Sequence, residues 1–346
     1  MISLARGVGV ASSRRMAVLT AGETFRREAH EGTAGELWAL ILAGGEGIRL
    51  RPLTRMICGD ERPKQYVTLT GTRSLLQQTL DRAGRAIPPE RTVVIGAEAH
   101  AGYLAATMTG HGATVLLQSA DRGTAAGVLL PVQWIRQRAP DAIVAVFPSD
   151  HLVREEAAFM DQVAQAAAFV GEHPERIVLL AVPATAPETD YGWIESGSLL
   201  GHGGTAPVHA VRRFVEKPSP EVARSCLEAG ASWNTFVFVG KASTLIEAGR
   251  RRLPDLHVGL ERLVQAARRG ARPDAVRRAS LALPRANFSR DVLQELPGML
   301  AVTTLRGVTW CDWGSPHRVI ESLEHLGLRP PWLDRLTEPI GSASAR

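Results

Sequence analysis

From residue 37 to about residue 190, apolar runs of five to seven residues alternate with longer amphipathic stretches. The runs Leu37–Ala43, Thr92–Gly96, Thr114–Gln118, Ala142–Phe147 and Ile177–Val182 are predicted strands. The stretches at about 74–86, 99–108, 124–138 and 156–171 are predicted helices. Strand and helix in alternation imply a mostly parallel sheet with helices on both faces. Ligands in such sheets bind where the strands end at their carboxyl side. After residue 190 the pattern changes: "YGWIE", "VHAVRRFVEK" and "WNTFVFVG" look extended, and helices are predicted at about 219–229, 242–251 and 256–269. "GVTWCDWG", Gly307–Gly314, then precedes a last helix starting near Pro316.

The expected fold class is therefore α/β, three-layered and Rossmann-like, with a smaller mixed α+β C-terminal part. We expect one catalytic domain over 37–330, with a first half of about 37–185 and a second part of about 186–330. Residues 1–36 mix Ala, Gly, Arg and Ser without periodicity and are expected to be a disordered extension, or to precede a later start at Met16 or beyond. Residues 331–346 are expected to be a loose tail.

Composition changes this picture little. With 45% hydrophobic and 22% charged residues the chain has the makings of a globular core. No apolar stretch reaches the roughly 18–20 residues needed to span a bilayer. Three scattered cysteines, Cys58, Cys226 and Cys311, form neither a disulfide framework nor a zinc spacing. They read as thiols of a cytoplasmic protein. The net charge of +5 invites a nucleic-acid reading, but the arginine cluster from Arg250 to Arg278 also carries Asp255, Glu261 and Asp274. A solvated helical face explains it, and no aromatic interleaving suggests a base-stacking surface. One count is more useful: of 40 basic residues only Lys64, Lys217 and Lys241 are lysine. In a chain that uses arginine almost everywhere, a lysine can mark a place that needs a compact ammonium and not a planar fork.

Candidate chemistry starts at "LILAGGEGIRLRPLT", Leu40 to Thr54, where an apolar run stops at Gly44-Gly45 and positive charge follows. The run is not a P-loop, which needs G-x-x-x-x-G-K-[ST]. Nor is it a dinucleotide fingerprint, because Leu50 stands at the third glycine position counted from Gly45. The kinase companions "HRD" and "DFG" are missing. What remains is a loop whose backbone N–H groups can approach phosphate oxygens, beside cations that stabilise developing charge.

"LAGGEGIRLRPLT" with "RPKQ" downstream resembles the sugar-1-phosphate nucleotidyltransferases. The motifs "RGTA" (122–125), "FPSDH" (147–151), "ETDYGWIE" (188–195), "FVEKP" (214–218), "WN" (233–234) and "WCDWG" (310–314) follow in that family's order. "PKQ", "FPSDH" and "FVEKP" are most similar to mannose-1-phosphate guanylyltransferases, and the resemblance covers about residues 37–327. It implies the fold type of that family and the joining of a nucleoside triphosphate, GTP foremost, to a sugar 1-phosphate, with release of pyrophosphate. A cupin-like isomerase domain or a left-handed β-helix acyltransferase domain, carried by some relatives, is not expected here.

The resemblance also implies roles. Arg49, Lys64 and Lys217 would be catalytic: Arg49 at the departing pyrophosphate, Lys64 near the reacting centre, Lys217 on the sugar phosphate. Leu42, Gly44, Gly45, Gly47, Gln118, Gly123 and Thr124 would hold the nucleotide. Gly192, Glu216 and Asn234 would hold the sugar, and Asp150 and Asp312 would share Mg²⁺. His151 is expected to orient its neighbours. Partners are expected to be the two substrates, with no nucleic acid and no membrane; a homodimer is entertained, since the sequence leaves the oligomeric state open.

Two positions depart from the family pattern. Ile48 stands where Thr or Ser is usual, which keeps the backbone N–H. Phe236 stands where relatives that read "WNSG" or "WNAG" have glycine. Its ring could cover a sugar face and narrow the subsite; strand alternation favours the other placement, beside Phe238 in an apolar layer and away from the sugar. The alternative readings are another pairing, UTP or dTTP with a glucose-like phosphate, and a regulatory paralogue that binds a sugar nucleotide without turnover. The joint presence of Arg49, Lys64, Asp150, Lys217 and Asp312 argues against the second.

Overall fold

The computed structural model describes residues 35–337; the expectations for residues 1–34 and for most of the C-terminal tail lie outside them. The strands are β1 (Leu37–Ala43), β2 (Thr92–Ala97), β3 (Thr114–Gln118), β4 (Ile143–Pro148), β5 (Leu152–Val153), β6 (Ile177–Pro183), β7 (Gly192–Gly203), β8 (Ala206–Glu216), β9 (Ser232–Lys241), β10 (Leu300–Thr304) and β11 (Trp310–Cys311). The helices are α1 (Arg51–Cys58), α2 (Leu75–Ala83), α3 (Ala101–Met108), α4 (Gly123–Arg136), α5 (Glu156–Glu172), α6 (Pro220–Glu228), α7 (Ala242–Arg252), α8 (Pro254–Arg268), α9 (Pro273–Leu281), α10 (Pro316–His325) and α11 (Asp334–Thr337).

Nine strands form one sheet in the order β3-β2-β1-β4-β9-β6-β10-β8-β7. All but β8 and β9 run in one direction. The central strands are apolar without a break because both faces are covered. Alternate residues serve alternate layers: Leu40, Val144 and Val146 face the layer under α4, α7 and α8, whereas Ile41, Ala145 and Phe147 face the layer under α2, α3 and α5. A third cluster joins α1 to α10 through Leu50, Leu53, Trp313, Val319 and Leu323.

The predicted strands and helices up to residue 183 all appear, within a few residues at their ends. Six elements were not foreseen: the helices α1, α9 and α11 and the strands β5, β10 and β11, with α11 lying in a tail expected to be loose. β9, far along the chain, inserts between β4 and β6 and pairs antiparallel with both, so the second part completes the sheet of the first. One continuous sheet therefore carries both groups of candidate residues.

Candidate active site

The glycine loop leaves the carboxyl end of β1 and is held from below by the "RPKQY" segment. Gln65 donates from Nε2 to the carbonyls of Ala43 (3.0 Å) and Gly45 (2.9 Å), and Tyr66 Oη donates to Ala43 O. Gly47 sits at φ +60°, and a Cβ there would lie 3.1 Å from the Lys64 nitrogen, so the close approach needs glycine. Half-buried Leu42 offers its carbonyl to Ser149 Oγ at 2.7 Å, which ties the end of β1 to the end of β4. Gln118 lies over this loop: a Cβ on Gly44 would meet its Oε1 at 3.6 Å. Gly45 is exposed.

Lys64 is the hub. Its side chain is only 5% exposed, and its ammonium donates to the carbonyls of Asp312 (2.6 Å) and Trp313 (3.0 Å) while lying 3.2 Å from Asp150 Oδ2. Three acceptors converging on one point suit an ammonium, not a guanidinium. β5 and β11 explain how residues 162 positions apart meet. Cys311 pairs with Leu152 in antiparallel register, so Asp312 comes in beside the Asp150-His151 turn. His151 accepts from Trp310 Nε1 at Nδ1 and turns Nε2 toward Asp150 Oδ1, 3.7 Å away.

Burial disfavours the Asp150 carboxylate, yet Lys64 and His151 outweigh it and hold the group below its usual range. Burial also pushes His151 down, against the Asp150 carboxylate, which pulls it up. Asp312 Oδ1 accepts from Tyr191 Oη and from Gly314 N, each at 2.9 Å. Its Oδ2 faces Arg318 Nη1 at 3.3 Å. Arg49, 53% exposed, pairs with Asp190 at 2.7 Å.

The structure brings the three sugar candidates together. A Cβ on Gly192 would meet Glu216 Oε2 at 2.8 Å and Asn234 Cβ at 3.3 Å. Burial raises the Glu216 carboxyl. Exposed Lys217 follows at φ +49°, its N–H bonded to Tyr191 O, which links this corner to the Asp312 corner. At the corner expected to hold the nucleotide, Gly123 has φ +79°, and a Cβ there would lie 2.1 Å from Ala286 O. Thr124 Oγ1 accepts from Phe288 N at 2.8 Å. The segment around Ala286–Phe288 thus walls this corner, and Gln294, in the turn after it, accepts from Glu216 N. Sequence reading missed Gln65, Tyr191, Gln294 and Arg318. Only Gln65 and Tyr191 carried a signal, as they sit inside recognised motifs.

Phe236 partly meets its expectation. It packs on the same layer as Phe238, with ring centroids 5.7 Å apart, and Phe238 stacks on Phe288. β9 is not regular there, however. The register jumps from Leu180–Val237 to Ala181–Asn234, and Phe236 has φ +59° with its N–H bonded to Asn234 Oδ1. A left-handed position explains why glycine suits it. The ring is half-buried, not fully buried. Phe236→Gly should therefore cost about 1–2 kcal/mol, less than the 3–5 of a fully buried ring, because lost contacts are offset by relieved backbone strain. Melting temperature and sugar selectivity, measured on one variant, check this; a stable protein with altered sugar choice would put the ring in the substrate site. Lys217, Phe236 and Trp313 (φ +46°) are three of the four non-glycine residues at positive φ among those described. Such strain collects at functional sites.

Among the described residues no helix is long and apolar enough to cross a membrane. The family model described as nucleotidyl transferase matches residues 38–327. The xanthan biosynthesis protein XanB of Xanthomonas campestris pv. campestris is 34% identical over 236 residues, 67% of this chain and 48% of that protein. A mannose-1-phosphate guanylyltransferase of Sinorhizobium fredii is 35% identical over 240 residues, 68% of this chain and 44% of that one. The chain spans about half the length of the curated relatives it matches. Among solved structures, one described as a mannose-1-phosphate geranyltransferase from Thermus thermophilus superposes with a TM-score of 0.70 at 31% identity, covering 86% of this chain and 80% of that one. A UDP-glucose pyrophosphorylase, 14% identical with a TM-score of 0.53, shares the fold. With the glycine loop, the Lys64 hub and both candidate carboxylates inside the matched region, the chain belongs to the nucleotidyl transferase family.

Proposed function

We propose that the protein makes GDP-mannose from GTP and mannose 1-phosphate, releasing pyrophosphate. A phosphate oxygen of the sugar attacks the α-phosphorus, the bond to the bridging α–β oxygen breaks, and pyrophosphate departs with that electron pair. The attacking oxygen is already anionic, so no protein base is required, and catalysis is positioning and charge compensation. The observation that carries this reading is the Lys64 ammonium, which gathers Asp150 and the Asp312 backbone beside a glycine loop. The names of the guanylyltransferase relatives from Sinorhizobium fredii and Escherichia coli O157:H7 support the choice of base and sugar.

In this reading the glycine loop wraps the triphosphate, Arg49 exchanges Asp190 for the departing pyrophosphate, and Lys217 holds the sugar phosphate. Asp150 and Asp312 would hold Mg²⁺. Two carboxylates with no thiolate suit a hard ion that keeps waters and takes further ligands from phosphates. Bound there, the ion would neutralise phosphate charge at the reacting centre. We read the three free cysteines as thiols of a cytoplasmic protein.

A different hexose is the second reading, favoured by Phe236 and by the engagement of Asn234 Oδ1 with its N–H. A panel of each NTP with several sugar 1-phosphates and Mg²⁺, read by pyrophosphate release, tests both. Fastest release with GTP and mannose 1-phosphate is expected. Faster release with UTP or dTTP and a glucose-type phosphate would overturn the assignment, and no release with any pair would point to a binding paralogue.

A further inference from the structure

Arg318 belongs to none of the motifs, yet it lies between both sides of the cleft. It is the third residue of α10, where Ser315 Oγ accepts from its N–H and Pro316 opens the helix. Its side chain is 14% exposed. The guanidinium lies over the Tyr191 ring at 4.5 Å and contacts three carboxylates. Nη1 is 3.4 and 3.3 Å from the two oxygens of Asp312 and 3.7 Å from Asp190 Oδ2, and Nη2 donates to Glu188 Oε2.

The oxygens of Asp312 are not equivalent. Oδ1 already accepts from Tyr191 Oη and Gly314 N, whereas Arg318 is the side chain found donating to Oδ2. A divalent cation approaching Asp312 therefore meets Oδ2, and there it meets Arg318. Two cations a few ångströms apart on one oxygen repel. Glu188 and Asp190 offer the guanidinium another berth without leaving the Tyr191 face.

We propose that Arg318 is a positioning residue that keeps the place of the metal: it holds Asp312 Oδ2 until a divalent cation arrives, and then moves toward Glu188 and Asp190. The inference rests on the reading of Asp312 as a metal ligand. It gives Arg318 and Glu188 opposite effects. Without Arg318 the cation loses the competitor that donates to Oδ2. Without the Glu188 charge the guanidinium is held more firmly on Asp312, and the cation binds less well. A merely structural role would weaken binding in both variants.

The test is Mn²⁺ alone, titrated into the full chain without nucleotide and read by the electron paramagnetic resonance of free Mn²⁺. Arg318→Gln is expected to bind about tenfold tighter than the unaltered protein, the scale for removing one charge beside a partly exposed site. Glu188→Gln is expected to bind several-fold weaker, and Arg318→Lys, which keeps the charge, to stay near the parent. Equal or weaker binding in Arg318→Gln would overturn the proposal, and so would a shift of the same sign in Glu188→Gln. Asp312→Asn separates the two levels. If it leaves Mn²⁺ affinity unchanged, the metal reading itself fails. If it lowers affinity while Arg318→Gln does not raise it, only the placeholder fails. Should Arg318→Gln melt early, Arg318→Met, titrated below its own melting temperature, takes its place: tighter binding is expected there too, and equal or weaker binding would overturn the proposal.

Discussion

Asp150→Asn and Asp312→Asn should each lower turnover by about 10²-fold or more, the scale of losing a preorganised charged group at a reacting phosphate. Neither change alters side-chain volume much, so the fold should survive. In Asp150→Asn, Lys64 keeps its two backbone carbonyls, and in Asp312→Asn an amide oxygen can still accept from Tyr191 Oη and Gly314 N. The measurement is pyrophosphate release by purified variants whose melting temperatures are known. Full activity in either variant would remove that carboxylate from the mechanism.

Lys64 should be the most sensitive single position. Lys64→Met would leave the Asp150 carboxylate and the Asp312 and Trp313 carbonyls without their shared donor. Breaking a buried pair costs about 3 kcal/mol at the lower end of its range, the end that applies here because Asp150 keeps some contact with water. Turnover should fall further still, since the β5–β11 side of the cleft loses its anchor to the glycine loop. Lys64→Arg keeps the charge but replaces a point with a wide fork among acceptors 2.6–3.2 Å away, and it should lose more than about tenfold in turnover. Lys241→Arg is the control. Lys241 closes β9 opposite the start of β4, away from the glycine loop, and faces exposed Asp141 at 3.8 Å. Identical behaviour of the two arginine variants would sink the argument from lysine scarcity.

Much of this site is written locally. The glycines of the loop, Gln118 at the end of β3 and Asp150 after β4 sit where a parallel sheet places its ligand groups, and apolar runs bounded by glycine reveal those strand ends. The candidate sugar corner was legible only through motif resemblance, because Gly192, Glu216 and Asn234 lie on three strands whose pairing no local pattern discloses. Phe236 shows the boundary well. Alternation correctly assigned its layer, but a bulge is a property of two paired strands, so its left-handed backbone and partial exposure were invisible in one strand alone.

By itself the sequence determined the alternation of strands and helices, the loop that can approach an anion, and the scarcity that singles out Lys64. These follow from short-range patterning, which acts within a few residues. Tertiary structure alone decided that β9 enters between β4 and β6, that β11 pairs with β5 and so brings Asp312 to Asp150, and that Arg318 lies among Glu188, Asp190 and Asp312. Those are long-range pairings. They depend on which apolar faces remain to be covered once the first sheet has formed, and the residues that cover them come from distant parts of the chain.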